Sequence, residues 1–70
     1  MPKWKFFVLN VDGSSLGTFQ QTLPETPRVG DSFSVDWDSR GGRLIKGRYQ
    51  YTSVNDHCHQ AVIKLVTPAS

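Results

Sequence analysis

Residues Gly30 to Tyr51 read GDSFSVDWDSRGGRLIKGRYQY, and the way this stretch pairs with itself decides the fold. Phe33, Val35 and Trp37 alternate with Ser32, Ser34 and Asp36, the pattern of a strand with one buried face. Arg40-Gly41-Gly42 breaks the run. From Leu44 to Tyr51 it resumes, with Ile45, Gly47, Tyr49 and Tyr51 at alternate positions. Residues opposite one another in an antiparallel pair point to the same face. A loop of Arg40, Gly41 and Gly42 sets Ser39 opposite Arg43, and then Trp37 opposite Ile45, Val35 opposite Gly47 and Phe33 opposite Tyr49. On the other face Asp36 meets Lys46. A tighter Gly41-Gly42 turn would set Phe33 against Gln50 and Val35 against Arg48, mixing apolar and polar faces. The wider loop is therefore expected, with a glycine taking its left-handed position.

Outward from this hairpin, Lys3 to Val11 reads as a first strand. It is apolar on both faces: Trp4, Phe6 and Val8 on one, Phe7, Leu9 and Val11 on the other. Asn10 to Gly13 supplies turn chemistry, and Leu16 to Thr22 follows as a weaker strand interrupted by Gly17. Pro24 and Pro27 exclude a helix or central strand between Leu23 and Val29. Thr52 to His59 is turn-rich. Gln60 to Thr67 is a last strand, with Ala61, Ile63 and Leu65 facing one way and Val62, Lys64 and Val66 the other, and Pro68 ends it. No segment carries a helical apolar period. The expected fold is one all-β domain over residues 1–70, a five-stranded antiparallel small barrel or strongly bent sheet with little or no helix.

A chain of 70 residues buries roughly 60% of its unfolded surface and is marginally stable. With one cysteine it has no internal disulfide, so it leans on a metal, a partner or a well-packed sheet. Four Phe, two Trp and two Tyr favour the packed sheet. No apolar run is long enough to span a bilayer. The basic-then-apolar N-terminus is too short and lacks a cleavage site, so it reads as a strand rather than a signal peptide. A lone thiol without a signal fits a reducing cytoplasm. The net charge of +2 and pI near 9.0 point to nucleic acid only if the basic residues cluster.

Val29-Gly30-Asp31 opening a strand, Trp37 at its end, and Tyr49 to Val54 after the hairpin resemble the SH3-like barrels, Tudor domains among them. The likeness covers about half the chain. It implies a small barrel. Tudor-type domains hold methylated lysine or arginine in an aromatic cage. Here Pro27-Arg28 stands where the cage aromatic is expected, and no aromatic follows the last strand, so the likeness does not extend to the cage. In size and texture the chain is also similar to short proteins carried by bacterial integron cassettes and phages.

Three sites compete. Trp4, Phe6 and Val8 form an apolar face on a strand whose other face is also apolar, which suggests a subunit interface in a symmetric homo-oligomer. Burying Trp4 and Phe6 would contribute about 4 kcal/mol, comparable to the deficit of so small a domain. The leading reading is thus a non-enzymatic, self-associating binding or assembly module with no cofactor. The runner-up is nucleic-acid binding through Arg40, Arg43, Lys46 and Arg48 on the central hairpin, against which Asp36 and Asp38 lie on the facing strand. The third is a metal site at Asp56-His57-Cys58-His59. There His57 and His59 would share a side of an extended segment, but further ligands must come from elsewhere. A Cys-His nucleophile pair is disfavoured because neighbours on a strand diverge. Arg40-Gly41-Gly42-Arg43 lacks the lysine, hydroxyl and helix of a phosphate loop.

Overall fold

The computed structural model describes residues 2–39, 41 and 44–68. It consists of strands β1 (Lys3–Leu9), β2 (Ser15–Thr22), β3 (Ser32–Val35), β4 (Gly47–Asn55) and β5 (Gln60–Pro68), and the described residues contain no helix. The strands form one sheet in the order β2-β1-β5-β4-β3. The all-β expectation holds, with two corrections. The sheet is mixed, because β1 runs parallel to β5 while every other pair is antiparallel. It is also not a closed barrel, since β2 and β3 remain edges. Both follow from how two local units dock: the β1–β2 hairpin meets the β3–β4–β5 meander through β5, and the connection from β2 to β3 passes from one edge to the other.

The sheet is rolled around a single apolar face. Trp4, Phe6 and Val8 of β1, Tyr49 of β4, Ala61, Ile63 and Leu65 of β5, Val35 and the loop residue Leu44 are buried. The strand alternation in β1 and β5 produces this set directly. Phe6 and Tyr51 stand on strands separated by β5, a spacing of about 9.6 Å in a flat sheet. Their ring centroids are only 6.3 Å apart. Phe6 also stacks on Phe19 of β2 at 4.7 Å, and Tyr51 meets Phe33 of β3 at 5.4 Å. This aromatic chain spans the concave face from one edge strand to the other. Trp4, at 1% exposure, belongs to the same interior. The exposed interface expected at Trp4, Phe6 and Val8 is therefore corrected: these side chains are spent on the core of one subunit.

The expected hairpin register is present where β3 and β4 pair, with Phe33 opposite Tyr49 and Val35 opposite Gly47. Beyond Val35 the expected ladder gives way to a folded loop. The Lys46 N–H donates to the Asp38 carboxylate at 2.7 Å, and the Ser39 N–H donates to the Leu44 carbonyl at 2.7 Å. Ser39 Oγ accepts from the Leu44 N–H at 2.8 Å. The Tyr49 hydroxyl holds both backbone groups of Ile45, accepting from its N–H at 3.0 Å and donating to its carbonyl at 2.8 Å. These bonds curl residues 44–46 over Tyr49, which drives Leu44 inward and leaves Trp37 56% exposed. The pairings Trp37 with Ile45 and Asp36 with Lys46 are thus not made. Three residues of the expected tip, Arg40, Gly42 and Arg43, lie outside the described residues.

Candidate nucleic-acid interface

Rolling the sheet inward turns the other parity of each strand outward. Lys3, Lys5, Phe7 and Leu9 alternate with the buried Trp4, Phe6 and Val8 on β1. Lys64 lies between buried Ile63 and Leu65 on β5, and Arg48 precedes buried Tyr49 on β4. The registers then place Thr18, Phe7 and Val62 in one row, Gln20, Lys5 and Gln60 in a second, and Leu9, Lys64 and Gln50 in a third. All charged residues on strands are the cations Lys3, Lys5, Arg48 and Lys64. All six carboxylates (Asp12, Glu25, Asp31, Asp36, Asp38 and Asp56) lie in turns or connections. Charge is thus sorted by topology: the convex face is cationic, amide- and hydroxyl-rich, with a half-buried aromatic ring near its middle.

Local contacts fix several of these groups. Lys5 Nζ lies 5.3 Å from the centroid of the Phe7 ring, within cation–π range. Arg48 Nη2 donates to Ser32 Oγ at 3.0 Å across the β3–β4 pair. At the border, Asp12 accepts from the Ser14 hydroxyl at 2.6 Å and the Ser14 N–H at 2.9 Å. These bonds, with a smaller contribution from the Lys64 charge, hold its carboxyl below the ordinary aspartate value. Asp12 is therefore ionised and tied into its own turn. Val11 and Val66, 46% and 51% exposed, flank Lys64 around a shallow depression.

The interior offers a second, different space. A cavity of about 280 Å³ opens between the two edge strands, lined by Phe6, Phe19, Phe33, Leu44 and Tyr51, with Trp37 at its rim. Burial raises the Tyr51 hydroxyl above the ordinary tyrosine value, and the Asp31 charge adds to this.

The sequence-derived sites fare unevenly. Of the runner-up set, Arg48 lies on the convex face, and Lys46 is exposed in the loop after β3, its N–H held by the Asp38 carboxylate. Arg40 and Arg43 lie outside the described residues. What is corrected is the strand pairing expected beyond Val35 and Gly47, because residues 44–46 fold over Tyr49 instead of continuing the ribbon. The Asp56–His59 segment is a tight turn between β4 and β5 in which the Asn55 side chain accepts from the His57 and Cys58 N–H groups at 3.1 and 3.2 Å. His57 is exposed there, whereas His59, at φ 51°, turns toward Trp4 with ring centroids 5.3 Å apart. Among the described residues no group of three or more His, Cys, Asp or Glu side chains could hold a metal ion. The extended geometry that would align His57 with His59 is replaced by the turn. Sequence reasoning missed Lys3, Lys5, Phe7 and Lys64. Their shared parity was visible in each strand, but the parallel contact that joins β1 to β5 was not.

Compared with known proteins, the chain matches no family model, no curated protein and no solved structure.

Proposed function

We propose that this protein is a non-enzymatic cytoplasmic binding module that takes single-stranded nucleic acid on the convex face of its sheet. The observation that carries the reading is the exclusion of carboxylates from the strands that form that face, whose charged residues are Lys3, Lys5, Arg48 and Lys64, with Lys5 over the Phe7 ring. A polyanion neutralises such a surface and releases its own counterions. An open sheet face with an aromatic ring offers unpaired bases a stacking platform, the mode by which sheet surfaces hold single strands. The same charge pattern argues against a second copy stacked on this face. Two such sheets would pack about 10 Å apart and bring lysine against lysine with no carboxylate between them.

The test is anisotropy of a labelled oligothymidine titrated with the full chain over a range of salt. Affinity is expected to fall with a log–log slope of about −2 to −3, the value for three to four phosphate contacts on a single strand. Lys5→Glu with Lys64→Glu should abolish binding while the sheet's circular dichroism is unchanged. Binding that is indifferent to salt, or a folded double variant that binds as well as the parent, would overturn the proposal.

A further inference from the structure

The two edges of the sheet are guarded differently. β3 is only four residues long and is bracketed by Asp31 and Asp36, and charge at a short edge discourages pairing with another chain. β2 is eight residues long, SLGTFQQT, with no charge and no proline. Its N-terminal part is bent by a register irregularity opposite Val8 and Leu9, with Gly17 at φ 135°. From Thr18 to Thr22 the strand is regular. Among the described residues its backbone hydrogen bonds run only to β1. Along this run Gln20, Gln21 and Thr22 are exposed and Phe19 is half-buried. A regular, uncharged edge with unpaired N–H and carbonyl groups is a template for an added strand.

We propose that β2 pairs with the β2 of a second copy, antiparallel about a two-fold axis through Gln20, to make one continuous sheet. The irregularity at Leu16, next to Gly17, limits the usable run to Thr18–Thr22, and Gln20 is its midpoint. On this axis Gln20 faces the partner's Gln20, Thr18 faces the partner's Thr22, and Phe19 faces the partner's Gln21. Charge selects this contact over others between copies. Lys5 lies one strand behind Gln20, so edge pairing holds it about 14 Å from the partner's Lys5, three strand spacings away. That exceeds the screening length of about 8 Å at physiological salt. Pairing β2 with the partner's β3 would instead leave the contact open-ended and place it against Asp31 and Asp36. So short an edge contact falls in the small class of interfaces, so the pair dissociates on dilution.

The experiment is light scattering on the full chain without nucleic acid, at concentrations from micromolar to millimolar. The expected mass doubles from 7.9 kDa across this range. Gln20→Lys and Gln20→Glu, each placing like charges on the axis, should stay at the single-chain mass. Their equimolar mixture should return to the doubled mass. Amide exchange in the unaltered chain should slow at Thr18–Thr22 as concentration rises, a readout that needs no variant to fold. A single-chain mass at millimolar concentration, variants that still double, a mixture that does not, or concentration-independent exchange at Thr18–Thr22 would each overturn the proposal.

Discussion

Gly47 begins β4 at φ 153°, a backbone conformation that side chains rarely adopt. A Cβ there would stand 2.6 Å from Leu65 Cδ1 and 2.7 Å from the Thr67 carbonyl oxygen. The position therefore allows β5 to close against the start of β4 with no room for a methyl group. Gly47→Ala should destabilise the fold by about 2–3 kcal/mol, combining overpacking with backbone strain. Urea unfolding followed by tryptophan fluorescence measures the loss. Gly13, also at positive φ, has nothing within 4 Å of a built Cβ, so the same substitution there tests strain without the clash.

β1 shows how one strand serves two purposes. Its even positions, Trp4, Phe6 and Val8, fill the interior, and its odd positions carry the cations and Phe7. Phe6→Ala should cost about 3–5 kcal/mol, the range for emptying a buried aromatic site. Phe7→Ala should cost clearly less stability while weakening oligothymidine binding by about 1–3 kcal/mol, the range for one stacked base. Thermal melts beside anisotropy titrations separate the two effects; equal losses of stability would contradict the assignment of faces. Much of this was legible in the chain. The alternation at Phe33, Val35, Tyr49 and Gly47 fixed the β3–β4 register because a period of two is a local signal. The end of β3 was not legible, because it depends on the Tyr49 hydroxyl reaching back to both backbone groups of Ile45. Nor did alternation reveal which strands adjoin. The convex site depends on Lys5 and Phe7 lying beside Gln60 and Val62, a pairing between distant segments.

At the scale of the whole molecule, two tyrosines tie stability to alkaline pH. Burial raises the Tyr49 hydroxyl above its ordinary value, with the Asp38 charge adding to this and the Ile45 backbone contact opposing it. Tyr51 is raised in the same direction. In the unfolded chain both ionise near pH 10. Between that pH and their higher folded values, the unfolded state has lost protons that the native state keeps. The stability from these groups is thus fully present below about pH 10 and declines as pH rises toward the folded values. The melting temperature should fall steeply above about pH 10, and Tyr51→Phe should flatten part of that fall. An unchanged alkaline slope in Tyr51→Phe would show that its ionisation does not limit stability.

The parallel seam between β1 and β5 also governs time. Of the five strands β1 is made first, yet its inner neighbour, β5, is made after the other four. Trp4 and Phe6 cannot be sheltered by β5 until that distant segment returns, and closing so long a loop costs entropy before any contact repays it. The nascent β1–β2 hairpin therefore waits with its greasy side bare, the interval in which a chaperone or another nascent chain can reach it.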